Sequence, residues 1–195
     1  MFFRAERGIL YTRDMQINEF FFRILNALTG HSAVVDSVVY FLAQPLALLA
    51  TLVLALYAAY EIVRAPPGEA GKQVLHTWVL VFVTAIVAWF IGDIVQGLIA
   101  YPRPFLELLD TNLLFPYGGR DSFPSGHTTF LSGLTAALYF LFGKKRVPWV
   151  FVVVTVAVGL ARVTAGVHWP FDIVGGIILG CVVAWGVSTA RKYFK

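Results

Sequence analysis

The 195-residue sequence predicts an all-α fold: a polytopic membrane helix bundle of about five transmembrane helices, six if the N-terminal segment is counted, with an amphipathic interfacial helix at its N-terminus. Three observations lead there. Residues are 58% hydrophobic and 13% charged, with a mean hydropathy of +0.76, whereas soluble domains carry roughly 25% charge. Five stretches lack Asp, Glu, Lys and Arg altogether: Ser37–Tyr60, Gln73–Gly92, Ser122–Gly143, Val147–Ala161 and Ile173–Ala190. Most approach the ~20 residues that carry a helix across ~30 Å of hydrocarbon, and the fourth continues through Arg162 toward Val167. Finally, there is no internal repeat, low-complexity segment or long polar tail, so residues 1–195 read as one integral-membrane domain.

Residues 1–35 form the N-terminal interfacial segment. Ile17, Phe20, Phe21, Ile24, Leu25 and Leu28 recur at i, i+3, i+4 and i+7, with Asn18, Glu19, Arg23 and Asn26 largely on the other face and Gly30 as the stop. Such a helix lies in the membrane interface, packs on the bundle, or does both. The first sixteen residues are too polar to hold the apolar core of a cleavable signal. The single cysteine, Cys181, falls inside the fifth span and reads as apolar filler.

The cations orient the chain. Arg64, Lys72, the Lys144-Lys145-Arg146 turn and the Arg191, Lys192, Lys195 tail share one side. The compact basic turn and tail favour that side as cytoplasmic. The N-terminus and loops 102–122 and 163–171 then face outward. The formal charge of +4 comes from these loops; no basic run interleaved with aromatics suggests nucleic acid as a partner.

Three polar islands interrupt the apolar chain, all on the predicted outer side: Tyr101-Pro-Arg-Pro104, Phe123-Pro-Ser-Gly-His-Thr-Thr-Phe130, and Ala161 to Asp172. Charged groups near a bilayer are costly and are functional candidates for that reason. A helix beginning at Pro124-Ser125 exposes unpaired backbone N–H groups and a partial positive charge, and Gly126 lets its backbone approach a ligand closely. Arg103 and Arg162 add fork-shaped donors suited to phosphate oxygens. His168 sits just before the fifth span, with Asp172 four residues on. A carboxylate holding one ring N–H leaves the other nitrogen free to attack, so His168 is the candidate nucleophile and Asp172 its orienting group. His127 is left to protonate the departing oxygen. Asp93 is either a partner for one of these arginines or a helix-end cap, and His76 receives no role. No group of carboxylates and histidines has metal-site spacing, so neither a metal nor another cofactor is expected.

These residues resemble the type 2 phosphatidic acid phosphatase (PAP2) superfamily, membrane branch. Its signature is K-x6-RP, PSGH and SR-x5-H-x3-D. Pro124, Ser125, Gly126 and His127 match the second part; Arg162, His168 and Asp172 match the third, with Ala161 in place of Ser; Arg103 and Pro104 match the first, with Gln96 in place of Lys. The resemblance covers residues 96–172. It implies metal-independent phosphate ester or anhydride hydrolysis through a phosphohistidine, with His168 attacking, His127 as acid and Asp172 orienting His168. Arg103, Ser125, Gly126, Arg162 and a weakened contact from Gln96 would hold the phosphoryl oxygens.

Within the superfamily the chain looks most like the bacterial undecaprenyl-diphosphate phosphatases, which implies a bacterial-type plasma membrane. The expected partners are therefore membrane lipids and a lipid phosphate or diphosphate whose tail stays in the bilayer. A phosphatidic acid or phosphatidylglycerophosphate phosphatase is the alternative substrate reading. A lipid-phosphate binding or transport protein without turnover is the alternative of a different class. The sequence does not assign an oligomeric state.

Overall fold

The computed structural model describes residues 13–143 and 146–193. Eight helices occur among them: α1 (Arg13–Asn26), α2 (Ala33–Ala43), α3 (Pro45–Arg64), α4 (Glu69–Ile99), α5 (Pro104–Glu107), α6 (Gly126–Phe142), α7 (Arg146–Thr164) and α8 (Pro170–Tyr193). The described residues contain no β-strand, and the pairing of Pro102 with Asp121 is an isolated bridge. Lys144, Lys145, Lys195 and the polar stretch before Arg13 lie outside the described residues.

Four helices, α3, α4, α7 and α8, are long and apolar enough to cross a membrane. At 17 residues, α6 spans about 26 Å, somewhat less than the hydrocarbon thickness. It is the hub of the bundle, buried from Thr128 to Leu138 except at Phe130, and it packs on α4, α7 and α8. The approach of α8 depends on glycine: a Cβ at Gly180 would come within 2.6 Å of Gly133 N and Thr129 O. Without a strong hydrophobic force between helices in lipid, such small-residue contacts are what let two backbones associate.

The charge-free stretch Ser37–Tyr60 is not one span but two helices, divided at Gln44. Proline explains the break. Pro45 has no N–H to give to α2 and occupies the first turn of α3, where none is needed. The second span is longer than its charge-free stretch, because Asp93 and Gln96 sit within α4 rather than ending it. That helix stops at Ala100, a left-handed residue with φ 48°.

The apolar face expected on α1 is exposed, with Phe20, Phe21, Ile24 and Leu28 more than half accessible. Its buried side holds Asn18, Phe22 and Asn26, one turn apart. Asn26 Nδ2 donates to Thr164 O at 2.9 Å and Asn112 O at 2.8 Å, and Asn18 Oδ1 accepts from Phe171 N at 3.0 Å. The two asparagines therefore tie α1 to the ends of α7 and α8, leaving the aromatic face outward.

Candidate active site

The C-terminal ends of α4 and α7 and the N-terminal ends of α6 and α8 lie at one end of the bundle, and this brings the three polar islands together. Backbone pairing staples them. Ser122 N donates to Tyr101 O at 2.7 Å, Arg103 N to Arg120 O at 3.2 Å, and Ser125 N to Asp172 O at 3.0 Å. The Trp169 indole adds a bond to Pro102 O at 2.9 Å, while Phe22 packs against its ring at 5.1 Å.

His168 and Asp172 are both about 1% exposed. Pro170 opens α8, so His168 stands outside the helix while Asp172 sits in its first turn and turns back toward the ring. The Asp172 Oδ2 atom lies 3.1 Å from His168 Nδ1 and accepts from Trp169 N at 2.7 Å and from the Ser122 hydroxyl. The partners assign the tautomer: Nδ1 carries the proton donated to the carboxylate, and Nε2 keeps its lone pair. That lone pair accepts from Arg103 Nη1 at 3.1 Å. Burial, and then the positive charges of Arg162 and Arg103, hold His168 well below the ordinary histidine pKa. The ring is thus kept neutral, as a nitrogen nucleophile requires.

The two guanidiniums are buried, Arg162 fully and Arg103 to 2% exposure. Two cations at such depth need partners. Arg103 Nη1 also donates to Val167 O at 2.7 Å, and Arg162 Nη1 donates to Ala43 O at 3.3 Å. That carbonyl ends α2 at the Pro45 break, so the break supplies an acceptor for Arg162. Both guanidiniums also face the ring of Tyr117, at 4.4 Å from Arg103 and 5.0 Å from Arg162. An aromatic face between two buried cations supplies cation–π attraction to each.

What remains unpaired is the informative part. Arg103 Nε, Arg162 Nε, Arg162 Nη2 and Ser125 Oγ are buried with no hydrogen-bond partner among the described residues. Buried polar groups are ordinarily satisfied, and a concentration of orphaned donors in one place calls for a ligand-based explanation. Ser125 caps α6, where the N–H groups of Gly126, His127 and Thr128 precede the first intrahelical bond, Thr129 N to Ser125 O at 2.9 Å, and both guanidiniums act electrostatically on His127 in that first turn. A Cβ built on Gly126 would meet only the Trp89 indole, at 3.4 Å, so the backbone there is open to close approach. His127 is partly accessible and within electrostatic range of Arg162, His168 and Arg103. The arrangement can bind a tetrahedral oxyanion, set a neutral imidazole against it, and offer a second imidazole for proton transfer.

Gln96 is placed differently from the rest. Its amide donates to Pro124 O at 3.0 Å and Ser122 O at 3.4 Å, so it braces the loop that carries the cradle. Ala161 packs in an apolar cluster with Val39, Ala43 and Phe115, where a serine hydroxyl would have poor company. Asp93 is exposed, and His76 lies toward the other end of α4. Two contributors were missed by sequence reasoning. Ser122 lies one residue before the second island and braces Asp172. Tyr117 sits in a loop with no periodicity or motif to single it out.

Comparison with known proteins identifies the family. The PAP2 superfamily model matches residues 76–195. The bacitracin transport permease protein BcrC of Bacillus licheniformis is 32% identical over 84% of this chain and 75% of its own length. The undecaprenyl-diphosphatase BcrC of Bacillus subtilis is 25% identical over 84% and 79%. Among solved structures, Aquifex aeolicus LpxE superposes with a TM-score of 0.64 at 25% identity, covering 88% of this chain and 94% of that one. A transmembrane PAP2-type phosphatidylglycerolphosphate phosphatase from Bacillus subtilis shares the fold, with a TM-score of 0.55 at 24% identity over 95% and 98%. On the extent of the family match and the apolar helices that carry it, the chain is an integral membrane protein belonging to the PAP2 superfamily of phosphatases.

Proposed function

We propose that this enzyme removes a phosphoryl group from a lipid diphosphate by way of a phosphohistidine, converting undecaprenyl diphosphate to undecaprenyl phosphate and inorganic phosphate. The observation that carries the reading is the set of orphaned buried donors on Arg103, Arg162 and Ser125 beside a neutral, carboxylate-held imidazole. A protein that only bound or carried lipid phosphate would need the donors but not the oriented nucleophile.

The steps follow from the positions. The terminal phosphoryl oxygens take the free N–H groups of both arginines, the Ser125 hydroxyl and the first-turn amides of α6. Arg103 Nη1 exchanges its contact with His168 Nε2 for a phosphoryl oxygen, releasing the lone pair. His168 Nε2 then bonds to phosphorus as the bridging P–O bond breaks, and His127 gives its proton to the departing oxygen. Asp172 stabilises the charge that develops on the ring. Water next attacks the phosphohistidine, His127 takes a proton from it, and phosphate leaves with His168 restored. The positive potential for this comes from two guanidiniums and a helix terminus, and the reading is therefore metal-independent.

Phosphate release by purified protein in EDTA, compared across undecaprenyl diphosphate, phosphatidic acid and phosphatidylglycerophosphate, tests this. Full activity in EDTA with undecaprenyl diphosphate fastest is the expected result. Loss in EDTA restored by Mg²⁺ would remove the mechanism, and a preference for either phospholipid would reassign the substrate.

The charge bias further supports a site open to the extracytoplasmic side. Arg64, Lys72, Arg146 and Arg191 all occupy helix ends opposite the catalytic one. Single cysteines at Gly118 and Glu69, in a Cys181→Ala background, should divide cleanly in intact cells. A membrane-impermeant thiol reagent should label Gly118→Cys and spare Glu69→Cys; the opposite pattern would invert the topology.

A further inference from the structure

At the end of the bundle away from the catalytic residues, α4 and α8 leave a cleft of about 830 Å³ between them. Its mouth carries Lys72, Gln73 and His76 from the start of α4 and Arg191 from the end of α8. One turn deeper, Leu80 follows His76 and Val187 precedes Arg191, giving the cleft an apolar wall toward the bilayer interior. Among the described residues no carboxylate lines it. Glu69 meets Lys72 at 2.8 Å, but both side chains are more than two-thirds exposed, and solvent screens that pair.

Arg191 is held rather than free. Its Nη2 donates to Thr77 Oγ1 at 3.1 Å, while its Nε is buried with no acceptor among the described residues. A guanidinium fixed at the mouth with an unsatisfied N–H is set to receive an anionic oxygen. The positive-inside tendency accounts for cations at this end. It does not account for a cleft that passes from cationic to apolar within one helical turn. A small soluble anion uses only the cationic half, whereas an anionic lipid matches both, its phosphate at the mouth and its first chain carbons on the wall.

The geometry points to a second lipid site: the cleft binds the phosphate headgroup of an anionic membrane lipid in the leaflet opposite the catalytic residues. Arg191, Lys72 and His76 engage the phosphate, and the proximal chain lies on Leu80 and Val187. This site is independent of the proposed hydrolysis. Phosphatidylglycerol, a diester with no terminal phosphate to remove, is a suitable probe.

The test is native mass spectrometry of the full chain in detergent, titrated with phosphatidylglycerol, phosphatidylcholine or inorganic phosphate. The wild type should retain one phosphatidylglycerol in preference to phosphatidylcholine. Arg191→Gln should weaken that binding about tenfold, the loss of a charge-assisted bond, with hydrolysis unchanged. Arg191→Lys should keep most of it. Val187→Trp fills the apolar wall while leaving every charge in place, and it should weaken phosphatidylglycerol equally even if Arg191→Gln fails to fold. Equal retention of both lipids, or indifference of phosphatidylglycerol to Val187→Trp, would overturn the proposal. Full displacement of the lipid by inorganic phosphate would instead assign the cleft to free anions and overturn the lipid reading.

Discussion

Purified His168→Ala is expected to release phosphate from undecaprenyl diphosphate, the proposed substrate, at least about 10³-fold more slowly than the wild type, while remaining folded in detergent. The size of the loss follows from what the ring does. In the proposed mechanism His168 Nε2 is the atom that bonds to phosphorus, and no other described nitrogen with a free lone pair combines that position with a carboxylate partner. Removing the buried imidazole also leaves Asp172 with only Ser122 and the Trp169 amide as its side-chain partners. A stability change of roughly 1–3 kcal/mol is therefore expected, and thermal unfolding of the variant has to be measured beside its activity. His168→Gln, closer in volume, should be equally inactive and more stable. Brief acid-free quenching with labelled substrate should trap phosphate on the wild type and none on either variant. A folded variant with near-normal turnover would end the nucleophile assignment. The same burial and guanidinium charges make a further point about pH. Because they lower the His168 pKa, the neutral form persists as pH falls through the ordinary histidine range. Any loss of activity near pH 6.5 should then survive as a feature of another group, not of His168.

How far the sequence revealed this site depended on whether a residue carries a local signal. Ser125, Gly126, His127, Arg162, His168 and Asp172 lie in two short polar interruptions of apolar runs, and the spacing around Pro170 already placed His168 outside a helix with Asp172 inside it. Tyr117 had no such signal. Its importance comes from lying between Arg103 and Arg162, 14 residues before it and 45 after it in the chain, and only tertiary folding creates that contact. Gln96 illustrates the opposite error of scale: its position was legible, but its amide turns to the 122–124 carbonyls, a choice made by the neighbouring loop.

The fold divides in the same way. Hydropathy located the apolar segments, since the bilayer imposes their length on the sequence. Counting charges did not locate helix ends. Pro45 breaks an uncharged stretch, and Asp93 and Gln96 continue a helix beyond one. On α1 the apolar spacing correctly isolated the exposed face, whereas two of the four residues read as its polar side, Asn18 and Asn26, are buried. Asn18 and Asn26 are inside because they satisfy backbone groups at the ends of α8 and α7 that no apolar side chain could satisfy.

His127→Ala should divide substrates by their leaving group, and this makes it the sharper test of what the enzyme acts on. If His127 is the general acid, its value depends on how much negative charge the departing oxygen must carry. Phosphatidic acid releases a lipid alkoxide, which needs a proton as the P–O bond breaks. Undecaprenyl diphosphate releases a lipid phosphate, whose oxygens spread the charge. Loss of a general acid costs about 10²–10⁴ in rate where protonation is required and less where it is not. The variant should therefore lose phosphatidic acid hydrolysis almost completely and retain a measurable fraction of diphosphate hydrolysis. A short-chain aryl phosphate with an activated leaving group should be the least affected. His127 stands in the first turn of α6 within the field of both arginines, so its removal also changes phosphate binding. That contribution raises KM on every substrate alike, whereas the acid role appears in kcat and varies with the leaving group. Damage of equal size in kcat for alkyl, phosphoryl and aryl leaving groups would contradict the acid assignment, and the proton would then have to come from elsewhere in the site.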